Sequence, residues 1–188
     1  MKKIIMLFAL FVFSAGCAGS IPDGVSLKQV FPGEPVVPRE ANRLSLPEPV
    51  NKTVIPLLGE KLRVRVITLT SNDRRLAVVN PGEKADIELA ITILDIQIQP
   101  MSVDPLGQVL KKRMRITASI ELRNLQTGNL ILEDREIQAF REYSDLVHPI
   151  ENDDQAREAT IDLLALRIVA KAQRGWYTEY LTPQERRK

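Results

Sequence analysis

The sequence is poor in the residues from which reactive and metal-binding sites are usually built. Its 188 residues include one cysteine, Cys17, and one histidine, His148. A lone cysteine excludes a disulfide within the chain, and the zinc sites common in proteins need several cysteine or histidine ligands at set spacings. Ser144 and Asp145 lie close to His148 in the sequence, but no strand-to-helix elbow presents the serine as a nucleophile. We therefore expect no enzymatic activity, no cofactor and no metal site.

A long apolar run is also lacking. Lys2 and Lys3 are followed by ten apolar residues, 4–13, and then by the small residues 14–16. This order is typical of a secretory signal, and the apolar run is much shorter than the roughly 20 residues that a membrane-spanning helix needs. The sequence therefore predicts a processed N-terminal signal over residues 1–16.

A charge excess is absent once this signal is set aside. The formal net charge of the whole chain is +2, and Lys2 and Lys3 account for it because the signal contains no acidic residue. A neutral mature chain gives no reason to expect nucleic acid as a partner.

What is present is a small-residue stretch that ends at the cysteine. Ser14-Ala15-Gly16-Cys17 resembles the bacterial lipobox, in which the cysteine is lipidated and becomes the first mature residue. A triacylated cysteine would hold the protein on a membrane, since each buried methylene contributes about 0.8 kcal/mol. The alternative is an ordinary signal peptide that leaves Cys17 as a thiol. Ala18 is not the aspartate that retains many Gram-negative lipoproteins at the inner membrane, so we expect the outer membrane.

Composition divides the mature chain into three parts. Residues 17–40 combine the lipidated cysteine with a stretch rich in proline and glycine, which is typical of an extended tether. Residues 41–175 are long enough for one domain with a core of its own. Residues 176–188 are interpreted as a polar C-terminal tail.

The clearest structural signal is a run of three long strands. Apolar residues alternate from Ile87 to Ile93, and their phase shifts after Asp95, as a β-bulge would cause. The alternation resumes from Met114 to Leu122 and, beyond the turn at 124–129, from residue 130 to residue 143. The pattern predicts an antiparallel meander.

The helical signals are less uniform. Residues 54–70 carry an apolar stripe at helical spacing, but they are rich in β-branched residues and part of the segment alternates, so composition alone leaves helix and strand open. After the meander, Asn152 and Gln155 form a capping-box pattern, and Gly175 supplies a stop. The helix between them has two apolar sectors, the second formed by Ala159, Leu163, Leu166 and Ala170. Packing against another helix of the domain or contact with a partner protein would explain this second sector.

Four cations crowd the start of the second long strand: Lys111, Lys112, Arg113 and Arg115. Such a cluster is suited to the phosphates of a glycolipid, through charge-assisted hydrogen bonds. The alternative is a solvated strand that resists aggregation. These four residues are the candidate glycolipid-binding site.

The order of these segments resembles the LptE family of outer-membrane lipopolysaccharide-assembly lipoproteins. The motifs that carry the resemblance are the lipobox at Cys17, Leu44-Ser45-Leu46-Pro47 with Val50-Asn51-Lys52-Thr53, Lys84-Ala85-Asp86, Gly107 to Leu122 with Thr127-Gly128 and Leu130, and the helix from Gln155 to Ala172.

The resemblance implies a two-layer α/β (α+β) sandwich of strand, helix, three antiparallel strands and helix, with both helices packed on a small mixed sheet. It thereby favours a helix at 54–70. It also implies a periplasm-facing protein, lipid-anchored in the outer membrane, that binds and stabilises the LptD β-barrel and assists lipopolysaccharide assembly. An auxiliary lipoprotein of a periplasmic lipid-trafficking transporter is the alternative function, and a periplasmic hydrolase ranks last.

Overall fold

A computed structural model describes residues 42–73, 76–80 and 82–185, with side chains up to residue 176 except that of residue 73. The expected signal, Cys17 and the tether lie outside the described residues. The elements in chain order are β1 (Arg43–Ser45), β2 (Val50–Asn51), α1 (Leu58–Asp73), β3 (Ala77–Val78), β4 (Ile87–Val103), β5 (Val109–Asn124), β6 (Leu130–Tyr143) and α2 (Asp153–Glu185).

The six strands form one mixed sheet. Along the sheet the order is β3, β1, β4, β5, β6. Strand β2 also pairs with β4, further along it than the residues with which β1 pairs. The pairs formed by β1 and β2 are parallel, whereas β4, β5 and β6 form the predicted antiparallel meander. The α+β fold with two helices on a mixed sheet is thus confirmed.

The meander follows the alternation seen in the sequence. A register shift between Ile93 and Asp95 is the expected bulge. β4 continues through Pro100 to Val103, with a second irregularity between Pro100 and Ser102. Because β2 does not pair with β4 beyond Ile93, the missing N–H of Pro100 removes no sheet hydrogen bond on that side.

The segment 54–70 is resolved in favour of a helix, although α1 begins at Leu58 and leaves Pro56 in the preceding turn. Leu58, Leu62 and Val66 are buried on its sheet-facing side. The two helices contact each other through ion pairs, among them Arg65 Nε to Asp162 Oδ1 at 2.7 Å and Lys61 to Glu158. Since Lys61 and Arg65 meet Glu158 and Asp162 in the same order, the helices run parallel.

The core lies between these helices and one face of the sheet. Its largest fully buried side chains are Leu44, Leu58, Leu62, Ile87, Leu89, Ile93, Met114, Ile116, Ile120, Leu122, Ile161 and Leu164. In the second sector of α2, Ala159, Leu166 and Ala170 are half-buried and Leu163 is 37% exposed. None of the described helices has a stretch apolar and long enough to span a membrane.

Helix α2 begins as predicted but does not end as predicted. Asn152 N donates to Gln155 Oε1 at 3.0 Å and Gln155 N donates to Asn152 Oδ1 at 2.9 Å, which is the reciprocal capping box. The stop expected at Gly175 is wrong, because α2 continues to Glu185. A Cβ at Gly175 would lie 3.3 Å from Leu132 side-chain atoms, so this glycine allows close packing of helix on sheet. Trp176 is buried, and an end of the domain at residue 175 would cut through α2.

Candidate functional site

The candidate cluster on β5 is divided between the two faces of the sheet. Lys112 shares the helix-covered face with Met114, while Lys111, Arg113 and Arg115 alternate onto the opposite face, which neither helix covers. The four cations therefore do not form one site. We call the face without helices the outer face.

Lys112 is held by carboxylates of the same domain. Its Nζ lies 2.9 Å from Asp145 Oδ2 and 3.4 Å from Asp153 Oδ1, and its side chain is 22% exposed. The hydrogen bond from Lys112 lowers the pKa of Asp145, and the same bond raises the pKa of Lys112. Lys112 thus connects β5 to the β6–α2 loop and to the start of α2.

Tyr143 completes this connection. Its hydroxyl donates to Asp153 Oδ1 at 2.9 Å, and the Lys112 ammonium lies 5.8 Å from the centre of its ring. Burial, with the hydrogen bond to Asp153, raises the pKa of the Tyr143 hydroxyl, so it remains a protonated donor at neutral pH. The arrangement stabilises the join between sheet and helix, and Lys112 is engaged in it.

The other three cations belong to a patch on the outer face. The Arg113 guanidinium pairs with Glu142 directly across the strands, with Nε to Oε1 at 3.2 Å, and this hydrogen bond lowers the pKa of Glu142. Arg115 donates to Gln97, a neutral side chain. Lys111 is exposed, and within the described part of the chain no ion pair holds it.

An aromatic ring and a fifth cation join this patch from β6 and α2. The Arg113 guanidinium carbon lies 5.2 Å from the centre of the Phe140 ring, and that of Arg167 lies 5.8 Å from it. Arg167 reaches this position from α2, past the edge strand, where it also donates to the Gln138 carbonyl. Arg167 could not be predicted as part of this group, because no local pattern in the sequence brings it to β5. We call Lys111, Arg113, Arg115, Phe140 and Arg167 the outer-face patch.

Ion pairing on the outer face differs along the strands. The outer-face patch contains four cations, and Glu142 is the carboxylate paired within it. Toward the other end of the strands the cations are paired one to one, Arg123 with Glu121 at 3.6 Å and Arg135 with Glu133 at 2.6 Å. Guanidinium and ammonium groups at this spacing are suited to phosphate or carboxylate groups spread over a broad surface.

A comparison of the sequence with known protein families shows to which family this chain belongs. The model for LptE, lipopolysaccharide-assembly, matches residues 41–172. The chain belongs to the LptE family. Membership in LptE implies a lipoprotein of lipopolysaccharide assembly, and the family is non-enzymatic. The match runs from the residue before the described segment to Ala172, within α2.

Solved structures are similar to this LptE chain in fold. Protein XCC0632 from Xanthomonas campestris, a DUF330 protein, has a TM-score of 0.50 and 16% identity, with 78% of this chain and 88% of that chain covered. Rare lipoprotein B from Shewanella oneidensis has a TM-score of 0.41 and 19% identity, covering 78% and 100%. A minor lipoprotein from Acinetobacter baumannii has a TM-score of 0.41 and 21% identity, covering 70% and 90%. None of the curated proteins compared with the sequence matches it.

Proposed function

We propose that this protein is an outer-membrane lipoprotein, anchored through Cys17, that binds and stabilises the LptD-type β-barrel during lipopolysaccharide assembly. The observation that carries the proposal is the LptE match over residues 41–172. The α+β fold, with two helices packed against a mixed sheet, agrees with the fold that the family resemblance implies. The protein would act by binding and positioning, facing the periplasm from the outer membrane.

Affinity purification of the lipidated protein from solubilised membranes tests the central claim. A stable complex with the barrel protein is expected, and depletion of the lipoprotein should trap lipopolysaccharide in the periplasm. Recovery of an inner-membrane transporter instead, with surface lipopolysaccharide unchanged, would favour the auxiliary-lipoprotein alternative. Purification that yields neither would contradict both.

The anchor is tested separately. Replacing Cys17 with serine should release the protein from membrane fractions, because the chain then has no residue for acylation. If the variant stays with the membranes at the level of wild type, the lipid anchor is excluded.

We further propose that the outer-face patch contacts lipopolysaccharide phosphates. Lys111, Arg113 and Arg115 would each supply donors to phosphate oxygens, and Arg167 would add a fourth cation. Lys112 is assigned to the structural ion pairs instead, since two carboxylates already hold it.

The matched comparison uses two triple variants with equal loss of charge. Replacing Lys111, Arg113 and Arg115 with glutamine should weaken binding to purified lipopolysaccharide and reduce its salt dependence. Replacing Lys84, Arg123 and Arg135, which lie toward the other end of the strands, should leave binding close to wild type. If the two variants weaken binding equally, binding depends on the overall surface charge and not on the outer-face patch.

A further inference from the structure

Strand β6 is an edge of the sheet, because it pairs with β5 and with no other described strand. The Gln138 carbonyl accepts a hydrogen bond from the Arg167 guanidinium on α2, so it points away from β5. The carbonyl of Ser144, directly after β6, points the same way and accepts from Glu151 N at 2.7 Å. The pairing with β5 is regular from residue 137 to residue 143. Every second residue of this stretch therefore directs its backbone N–H and C=O groups to the free side of β6.

Backbone groups are left open on the free side between these two points. Phe140 and Glu142 each present an N–H and a C=O group there, and Gln138 adds its N–H. Among the described residues, no backbone group pairs with them. The edge is closed on one side by the β6–α2 loop and on the other at Glu136, whose N–H donates to a carboxylate oxygen of β6 itself at 3.0 Å. We call residues 138–142 the open edge, and unpaired groups of this kind are those through which a further strand is added.

The side chains beside the open edge favour an acidic partner. Phe140 and Glu142 lie on the outer face, and the Arg113 guanidinium contacts both, with its carbon 5.2 Å from the centre of the ring and Nε 3.2 Å from Glu142 Oε1. The Arg167 guanidinium carbon lies 5.8 Å from the centre of the same ring. The hydrogen bond from Arg113 lowers the pKa of Glu142, and the charge of Lys111 adds to this effect. Three cations thus surround one carboxylate, and a further carboxylate would find donors there.

A second copy of this domain fits the open edge less well than an acidic segment does. Edge-to-edge pairing of two copies would bring the cations around Phe140 against the same cations of the other copy. It would also bring the two α2 helices together, and their Arg167, Lys171 and Arg174 line the groove beside Gln138. Like charges at such a contact repel each other. An extended segment that carries carboxylates avoids this repulsion and can still pair through its backbone.

We infer that the open edge binds an extended, acidic segment of another protein as an additional strand, antiparallel to β6. In an antiparallel pair, residues that exchange hydrogen bonds have their side chains on the same face of the sheet. The residues of the segment that pair with Phe140 and Gln138 therefore lie on the outer face, where carboxylates meet Arg113 and Arg167. The inference goes beyond the proposed function, since it requires neither the barrel nor lipopolysaccharide.

The probe is a fluorescent peptide, Thr-Val-Glu-Val-Glu, blocked at both ends. Its binding to the full-length lipidated protein in detergent is measured by fluorescence anisotropy. In the inferred register its threonine faces Glu142, and its two glutamates face Phe140 and Gln138. The same peptide with lysine in place of glutamate should bind at least about tenfold more weakly, because its ammonium groups would face Arg113 and Arg167.

Methylation of backbone nitrogens separates strand addition from attraction by charge alone. The glutamate N–H groups of the peptide face β6, whereas the valine N–H groups face solvent, since alternate residues point to opposite sides. N-methylation of both glutamates should weaken binding at least about tenfold, and N-methylation of both valines should leave it within about threefold of the parent peptide. With the parent peptide bound, hydrogen–deuterium exchange should slow at residues 138–142 and stay unchanged at β1.

Arg167→Gln tests the cation at the end of the open edge, which contacts a carbonyl and a ring. The preference for the glutamate peptide over the lysine peptide should fall at least about fivefold in this variant. The ratio is the readout because loss of Arg167 also frees the Gln138 carbonyl, which would strengthen binding of both peptides alike. The control Lys84→Gln removes an equal charge before β4 and should leave the preference unchanged. Both side chains are exposed, so folding should be preserved.

Several results would contradict strand addition. The inference is overturned if the parent peptide does not bind, if the glutamate and lysine peptides bind equally, or if the two N-methylated peptides bind equally. If the protein instead self-associates in sedimentation experiments and the parent peptide does not dissociate the complex, the edge is an interface between copies and the inference is likewise overturned. None of these results bears on the barrel complex, so the proposed function is judged by its own purification.

Discussion

Asp86 offers the sharpest test of how this domain is held together. It is 3% exposed at the start of β4, where Oδ2 accepts from Arg43 N at 3.0 Å and Oδ1 accepts from Gln126 Nε2 at 2.9 Å. Its backbone N–H donates to the Arg43 carbonyl, and its own carbonyl accepts from Leu125 N, both at 2.8 Å. One residue thus joins β1, β4 and the β5–β6 turn.

Replacing Asp86 with alanine should destabilise the fold by about 2–4 kcal/mol. Hydrogen bonds to a charged group contribute about 1.5–3 kcal/mol each, and a buried donor left without an acceptor costs about 1–3 kcal/mol. The Arg43 N–H is the larger loss, because the Gln126 side chain is exposed and its amide returns to water. Asp86→Asn keeps an acceptor for Arg43 N and loses mainly the Gln126 bond, so it should cost about 1 kcal/mol.

Equilibrium unfolding in urea measures both variants beside Gln126→Ala, which should cost less than about 1 kcal/mol. Unchanged m-values are expected, since the same surface is exposed on unfolding. If Asp86→Ala stays within about 0.5 kcal/mol of wild type, or if asparagine is as harmful as alanine, the hydrogen bonds do not stabilise this junction as argued.

Three further predictions concern helix α2 and its attachment. Gly175→Val should destabilise the domain by about 1–3 kcal/mol through overpacking against Leu132, measured by urea unfolding, and a neutral result would contradict the close contact. Asn152→Ala should cost about 1 kcal/mol by removing the cap, and Asn152→Asp, which keeps an acceptor, should restore most of it. For Lys112 and Asp145, the carboxyl pKa is held below its ordinary 3.8 and the ammonium pKa above 10.5, so the pair stabilises the fold between these values. The stability deficit of Lys112→Gln should therefore be greatest near neutral pH and shrink as the pH falls below 3.8; a deficit unchanged at pH 3 would show that the ion pair is not its source.

Local sequence patterns correctly predicted the structural features that depend on residues close together in the sequence. The alternation from Met114 to Leu122 gave the central strand, because one face of it is buried. The capping box at Asn152 and Gln155 is likewise a contact between residues three apart. By contrast, the alternation within α1 reflects Arg63, which donates from Nε to the Leu46 carbonyl at 3.1 Å, beside the exposed Val64. The alternation of polar and apolar residues in this part of α1 therefore does not indicate a strand. It results from one arginine that makes a tertiary contact and one apolar residue that lies on the surface.

The role of Gly175, the division of the basic cluster and the two shortest strands all depend on residues that are distant in the sequence. Gly175 permits contact with Leu132, more than forty positions earlier, and a glycine that serves packing looks like a stop when only its neighbours are read. Lys112 and Met114 are two residues apart and therefore lie on the same face of β5. The alternation of side chains along a strand could have predicted that Lys111 and Arg113 lie on the opposite face. Strands β2 and β3 have two residues each, and pairing with β4 and β1 defines them rather than any pattern of their own.

The core lies on one side of the sheet, and this placement bears on whether the domain folds before or after it binds a partner. Sheet and helices bury the large apolar side chains against each other, and within the part of the chain that the structure describes no element covers the largely polar outer face. The core of the described domain is therefore complete without another chain. Folding can finish before any encounter, so a cell deprived of the partner should still accumulate the protein in a protease-resistant form, and assembly would begin from a finished module rather than from two chains that fold together.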